Sequence, residues 1–129
     1  RCVYMTKKRF NNGDTDFGSW LRSSEPLSSS NGYVTSDIDY VWNDYNSNKF
    51  MFIEEKCNMA TSDFSQSKTF KLVRSSINNS NFYGFHLIQF ENTNPSNGKV
   101  YLDGEEIPEE QLEEFLKFNL PEVWYDSYY

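Results

Sequence analysis

The residues best suited to chemistry are three carboxylates and one amine: Asp37, Asp39, Glu54 and Lys56. Two carboxylates held side by side repel each other unless a cation lies between them, and hard oxygen ligands suit Mg²⁺ or Mn²⁺. A lysine beside such a metal can stabilise transition-state charge or help deprotonate an attacking water whose pKa the metal lowers. Together these residue types indicate phosphodiester hydrolysis, provided that the fold brings them together.

A β-hairpin would bring them together. The runs 33–42 and 50–57 are rich in aromatic and β-branched residues and flank the polar segment 44–49, which is typical of two strands joined by a turn. We expect Asn43 to pair with Phe50 across this six-residue turn. That pairing fixes the register of the whole hairpin.

In this register Asp39 lies opposite Glu54, and Asp37 lies opposite Lys56. Because side chains alternate along a strand, all four project from one face. A solvated face with a cross-strand salt bridge is the alternative interpretation. Against it, the remaining residues on both faces of the hairpin are apolar, which is typical of central strands, so charges there need a reason. These apolar residues are Val41, Phe50 and Phe52 on one face, and Ile38, Tyr40, Trp42, Met51 and Ile53 on the other.

Other elements must hold the hairpin in place. Spacing of apolar residues predicts a short helix over 16–22 and a longer one over 64–78. The almost wholly apolar run 82–90 predicts a strand covered on both faces, and 99–102 predicts a short strand. A last helix over 108–118 begins at a proline. The candidate N-caps of the first helix are Asp14, Thr15 and Asp16.

An Asp followed after fourteen residues by Glu-x-Lys at the end of an apolar strand resembles the signature of the PD-(D/E)XK (restriction-endonuclease-like) nuclease superfamily. The resemblance covers roughly residues 14–90. It implies an α/β (α+β) fold with an αβββαβ core, in which helices flank a central mixed β-sheet. A further strand and an acidic helix, within a C-terminal extension over 103–129, would be added to that core.

The resemblance also implies roles for individual residues. Asp39 and Glu54 would bind the metal, the backbone carbonyl of Glu55 could be a further ligand, and Lys56 would be the catalytic lysine. The proline of the family name is absent, which leaves Asp37 as a rival metal ligand. Asp39 is preferred because apolar residues follow it, as in the family.

Gln66 lies where many members of the superfamily carry a polar residue, in the helix after the Glu-x-Lys strand. It is therefore a candidate catalytic residue, with an ordinary first-turn residue as the alternative. His86, the only histidine, shares a strand face with apolar residues, so we interpret it as a packed core histidine rather than as a catalytic base.

The net charge of −7 is unevenly distributed. Residues 103–129 carry −8, whereas residues 1–102 carry +1, so the total does not exclude a polyanionic partner. Two basic clusters could contact DNA phosphates, although such a stripe on a helix is also typical of a solvated face. The clusters are Lys7, Lys8 and Arg9, and Lys68, Lys71 and Arg74 at i, i+3 and i+6.

Other features limit the cellular setting. No apolar run approaches the roughly 20 residues that cross a bilayer, and no signal peptide is visible. The two cysteines, Cys2 and Cys57, are too few for a disulfide framework and have no metal-binding spacing. We therefore expect reduced thiols and a cytoplasmic location, which includes the case of a phage or virus protein inside its host cell. Sparse alanine with abundant asparagine, serine and aromatics suggests an AT-rich genome.

We therefore expect a single domain over 1–129 that is a Mg²⁺- or Mn²⁺-dependent nuclease, a hydrolase acting on DNA without membrane association. Because the chain is small, a homodimer or a protein partner would supply targeting. The alternative is a non-catalytic binding or accessory protein, of phage or mobile-element type, that keeps the nuclease fold. Its partner would contact the acidic segment 103–126 or the tyrosine-rich tail 124–129.

Overall fold

The computed structural model describes residues 15–129, which fall into two compact units, 15–37 and 38–129. In the first unit, helix α1 (Asp16–Ser23) begins after Thr15, whose hydroxyl accepts a hydrogen bond from the N–H of Gly18 at 3.0 Å. This N-cap satisfies one of the free donors of the first turn. Two short 3₁₀ helices, Glu25–Leu27 and Ser29–Asn31, follow.

The second unit is an α+β structure with an open, mixed, five-stranded sheet in the order β1-β2-β3-β4-β5. Only β2 and β3 are parallel, since helix α2 connects them, and all other neighbours are antiparallel. The strands are β1 (Tyr40–Asn43), β2 (Phe50–Lys56), β3 (Phe82–Phe90), β4 (Val100–Leu102) and β5 (Glu105–Ile107); the helices are α2 (Phe64–Ser75) and α3 (Glu109–Leu116).

Helix α2 covers one face of the sheet. Its buried Phe70 packs in a small aromatic cluster with Phe85 and Leu87 of β3 and with Tyr129 near the end of the chain. The Phe70 and Phe85 rings lie 4.5 Å apart, centre to centre. This face therefore combines an apolar cluster beneath α2 with the charged residues of β2, which continue past the cluster towards the first turn of the helix.

Helix α3 covers the other face, where the larger core lies. Leu112 and Phe115 of the helix are buried against residues of all the central strands. The glutamates of this helix are mostly exposed, while its apolar side completes the core. The hydrophobic core thus extends well beyond residues 14–90, into the segment expected to be an extension.

The first strand of the hairpin is much shorter than predicted. It begins at Tyr40 rather than near residue 33, because the N–H of Glu55 donates to the Asp39 carboxylate at 3.0 Å instead of continuing the backbone ladder. Ile38 consequently packs near Phe52 on the α2 face, not on the opposite face. Within residues 15–129, two strands rather than three lie between α1 and α2, and β5 was not predicted.

Cys57, directly after β2, is disulfide-bonded, so the expectation of a reduced thiol is wrong at this residue. It is the only cysteine among residues 15–129. Over the same residues, no helix has the length and apolar character required to span a bilayer.

Candidate functional site

Strand β2 presents two charged residues on one face near its carboxyl end. The register of the hairpin is the predicted one, with Asn43 paired to Phe50 and Tyr40 to Ile53. Glu54 and Lys56 alternate with Glu55 and therefore point to the same side of the sheet. The Asp39 carboxylate lies beside this strand, since its Oδ2 accepts the hydrogen bond from the backbone of Glu55.

Helix α2 adds Gln66 to this face. Asp63 caps the helix, with its Oδ1 accepting a hydrogen bond from the N–H of Gln66 at 2.7 Å. This bond also lowers the pKa of Asp63. An Asp three residues before a Gln matches the spacing of a capping box, but here the glutamine side chain turns towards the sheet. The cap thus fixes the residue that completes the cluster.

Glu54, Lys56 and Gln66 form a closed triangle of polar contacts. The amide Nε2 of Gln66 donates to Glu54 Oε2 at 2.9 Å, and Lys56 Nζ lies 3.1 Å from the same oxygen. Lys56 Nζ also donates to Gln66 Oε1 at 3.1 Å. Gln66 therefore orients both the carboxylate and the amine, and the predicted grouping of these three residues is present.

The two oxygens of Glu54 are in different environments. Only 1% of the side chain is exposed, and while Oε2 receives both donors, Oε1 is buried with no hydrogen-bond partner among the described residues. Burial, and next the neighbouring Asp39, raise the pKa of Glu54 to about 7, although Lys56 opposes them. Near neutral pH, a proton or a cation at Oε1 would compensate for the missing hydrogen-bond partner of this buried oxygen.

The donor set fits a hard divalent cation with few protein ligands. No group of three or more histidine, cysteine, aspartate or glutamate residues in 15–129 is placed to hold a metal ion. The Asp39 carboxylate is close enough to Glu54 to raise the pKa of Glu54. Magnesium is commonly bound by one or two carboxylates, with waters and substrate phosphates completing its shell. The unpartnered Oε1 is the oxygen that such an ion would satisfy.

Other predicted site residues lie apart from this cluster or outside the described part of the chain. Asp37 is exposed and belongs to the unit that ends there, so its role as a rival ligand stays a prediction. The cluster Lys7, Lys8 and Arg9 lies outside the described residues.

The second basic cluster is divided. Lys68 and Lys71 are exposed on α2, whereas the Nε of Arg74 donates to the carbonyl oxygen of Tyr129 at 3.0 Å. Residues six apart on a helix lie about a third of a turn away from each other. Arg74 is therefore not on one stripe with the two lysines, and it holds the end of the chain against the helix.

The loop between β2 and α2 contains supporting residues that sequence reasoning missed. Asn58 and Met59 both have positive φ angles, of 54° and 58°, which turn the chain sharply after the Glu-x-Lys segment. The buried Gln89 donates to the carbonyl of Ala60 at 3.0 Å and so ties this loop to β3. A glutamine inside an otherwise apolar strand was the available signal.

Near the start of α2, the Ser62 hydroxyl lies 2.5 Å from that of Tyr129, which is 4% exposed. Burial raises the pKa of Tyr129 to about 12, so its hydroxyl stays protonated. This contact links the end of the chain to the turn that positions Gln66. No sequence pattern pointed to it.

Comparison of the chain with models of known protein families, with curated proteins and with solved structures gave no match, so the assignment of a function depends on this cluster alone.

Proposed function

We propose that the protein is a metal-dependent nuclease of the PD-(D/E)XK type that hydrolyses phosphodiester bonds of DNA. Glu54 and Asp39 bind Mg²⁺ or Mn²⁺, Lys56 assists the attacking water, and Gln66 orients both Glu54 and Lys56. The observation that carries the proposal is the buried Glu54 carboxylate, with one oxygen held by Lys56 and Gln66 and the other without a hydrogen-bond partner among residues 15–129.

The order of elements supports the same proposal. The Glu-x-Lys strand β2 leads through helix α2 into the parallel strand β3, and the aspartate precedes the strand antiparallel to β2. This matches the part of the superfamily core that contains its catalytic residues. The third strand of the proposed αβββαβ core has no counterpart between α1 and α2 among residues 15–129.

The chain's own residues have separable tasks in this reaction. Lys56 is 17% exposed at its side chain, so its ammonium can reach a substrate phosphate while it remains bonded to Gln66. From there it stabilises the negative charge that develops on the phosphate oxygens. The bound metal would lower the pKa of a coordinated water and so supply the nucleophile at neutral pH.

DNA binding is proposed for the exposed lysines of α2, Lys68 and Lys71, which have no carboxylate partner within residues 15–129. Neutralisation of phosphates by such lysines makes affinity fall as salt rises. The acidic side chains of α3 lie on the opposite face of the sheet, and so do not oppose DNA at the Glu54 site.

Cleavage assays with a lysine variant test the proposal. Wild type and the variants Lys56→Ala and Lys99→Ala are incubated with labelled linear, nicked, branched and single-stranded DNA, and with RNA, in Mn²⁺. Lys99 is exposed and lies outside the cluster, which makes it the matched control. We expect Lys56→Ala to lower the cleavage rate about 100-fold or more, and Lys99→Ala to leave it unchanged. Equal rates in wild type and Lys56→Ala, or no cleavage by either, would overturn the proposal.

If the protein is instead a non-catalytic binding protein, neither wild type nor Lys56→Ala should cleave any of these substrates. One of the two surfaces expected for it is reduced, because Tyr125 and Tyr129 of the tyrosine-rich tail are buried and Tyr128 is the tyrosine of the tail that stays exposed. An intracellular location also loses support from the cysteines, since the disulfide at Cys57 is typical of oxidising compartments.

A further inference from the structure

Phe64 is exposed, whereas every other phenylalanine of residues 38–129 is at least partly buried. It is the first residue of helix α2, its side chain is 84% exposed, and its ring contacts no other aromatic ring of the described residues. Large apolar side chains this exposed are common one at a time, so the location of Phe64 decides whether the exposure has a use.

That location is the amino-terminal end of α2, beside Glu54, Lys56 and Gln66, which we call the Glu54 cluster. Asp63, the preceding residue, caps the helix, and Gln66, two residues later, contacts both Glu54 and Lys56. Side chains in a helix lean towards its amino terminus, so Phe64 occupies the outer edge of the turn from which Gln66 reaches inward.

Two lysines continue the exposed side of the helix. Lys68 and Lys71 follow Phe64 at i+4 and i+7, which places all three on one exposed side of α2, turned away from the buried Phe70. Both lysines are exposed without a carboxylate partner among the described residues. The outer side of α2 thus presents one aromatic face next to the cluster and two ammonium groups beyond it. We call these three residues the outer stripe.

An aromatic ring followed by lysines is the arrangement that proteins use for single-stranded nucleic acid. Unpaired bases stack on exposed rings while cationic side chains follow the phosphates. The bases of an intact duplex are stacked on one another and cannot use an exposed phenylalanine in this way. The positive charge of the outer stripe also favours a polyanion over an apolar protein partner.

We propose that the outer stripe binds single-stranded DNA, with one unpaired base stacked on Phe64, and so directs an unpaired strand to the Glu54 cluster. The inference rests on the proposed nuclease function and narrows its substrate class to single-stranded DNA, or to the unpaired part of a branched DNA. Duplex DNA is then a poorer ligand, because it offers phosphates to Lys68 and Lys71 but no base to Phe64.

Binding without cleavage tests this substrate class. The affinity of a fluorescently labelled thymidine oligonucleotide is measured by anisotropy with Ca²⁺ in place of Mn²⁺, and electrophoresis verifies that the oligonucleotide stays intact. The variants are Phe64→Ala, the conservative Phe64→Tyr, and Leu72→Ala as a matched control, because Leu72 is an exposed apolar residue of the same helix at 67% exposure.

We expect Phe64→Ala to weaken binding of the single strand about tenfold, Phe64→Tyr to restore it, and Leu72→Ala to leave it within about twofold. The same Phe64→Ala change should leave duplex affinity unaltered. Equal affinity of wild type and Phe64→Ala for the single strand, or an equal loss in Leu72→Ala, would overturn the inference, as would tighter binding of duplex than of single strand.

These outcomes are separable from failure of the nuclease proposal. If Lys56→Ala abolishes cleavage but Phe64→Ala binds single strands as wild type does, the nuclease function stands and the substrate class is wrong. If wild type binds neither single-stranded nor duplex DNA, the substrate class is overturned, and the cleavage assay alone then decides the nuclease function.

Discussion

Two buried polar groups lie on opposite faces of the same pair of strands, β2 and β3, and they are satisfied to different degrees. His86 of β3 is fully buried among Phe115 and Tyr125 on the α3 face. Glu54 of β2 is buried on the α2 face. The difference lies in how many of their polar atoms have partners.

Every polar atom around His86 is used. Its Nδ1 lies 2.7 Å from Asp103 Oδ2 and its Nε2 lies 2.6 Å from the carbonyl oxygen of Tyr83, while Asp103 Oδ1 accepts from the N–H of Leu87 at 2.9 Å. Both ring nitrogens therefore lie within hydrogen-bond distance of an acceptor, a carboxylate on one side and a carbonyl on the other. The turn Asp103-Gly104, with two positive φ angles, delivers the carboxylate.

Glu54 differs because one of its oxygens has no hydrogen-bond partner in the part of the chain that the structure describes, and its pKa is raised to about 7. Buried groups in proteins are nearly always satisfied, so an exception calls for an explanation. The comparison teaches that burial of a charge alone does not mark a functional site. The completed His86–Asp103 pair serves the packing of the α3 face, whereas the incomplete Glu54 carboxylate is the group to which we assign the proposed cation.

The largest expected effect comes from breaking the satisfied pair. His86→Leu removes the ring that contacts the partly buried Asp103 carboxylate and Tyr83 carbonyl, and it leaves both without that partner. We expect the free energy of unfolding to fall by about 3 kcal/mol, measured by urea denaturation. Asp103→Asn keeps an acceptor for the Leu87 N–H and a residue that tolerates positive φ, so its loss should be smaller. Unchanged stability of His86→Leu would contradict the structural role of the pair.

Substitution of Glu54 should have a smaller effect on the free energy of unfolding, and it should stabilise the protein rather than destabilise it. Between the ordinary pKa of 4.5 and the folded-state value of about 7, the folded protein retains on Glu54 a proton that the unfolded chain has lost. The free energy of unfolding should therefore fall as pH rises through this range, by at most about 3 kcal/mol, and level off above pH 7. Glu54→Gln, which does not ionise, should lose this dependence and be about 2 kcal/mol more stable than wild type at pH 8.

Urea denaturation across pH 4 to 8 checks this second prediction, and Glu106→Gln is its control because Glu106 is exposed on β5, three strands away from β2. The control should keep the pH dependence of wild type and match its stability within about 0.5 kcal/mol. If Glu54→Gln is less stable than wild type at pH 8, the ionised Glu54 carboxylate does not destabilise the folded protein. Glu54 and His86 would then not differ in their effect on stability.

The surroundings of Glu54 could be predicted from the sequence more fully than the surroundings of His86. The hairpin register followed from the length of its turn, and strand β3 was predicted at its observed bounds, Phe82–Phe90, because nine nearly continuous apolar residues leave little ambiguity. Since Glu54 and Lys56 are two residues apart on one strand, their shared face needed no long-range information.

The features that could not be predicted depend on contacts between distant parts of the chain. Asp103 meets His86 across seventeen residues, and Tyr129 meets Ser62 across sixty-seven. The early end of the β1 ladder depends on a side chain, that of Asp39, taking the place of a backbone acceptor. Alternation and spacing describe neither kind of contact, which is why the packing roles of the tyrosine-rich tail and of helix α3 were not predicted.

That Glu54 is left incomplete for a divalent cation is tested most directly by the effect of Mn²⁺ on unfolding at pH 8, in wild type and in Glu54→Gln. With Mn²⁺ at about 100 times its Kd, wild type should gain about 2.7 kcal/mol in the free energy of unfolding, and Glu54→Gln should gain little. An equal gain in both proteins, or no gain in wild type, would contradict the assignment of Glu54 as a metal ligand.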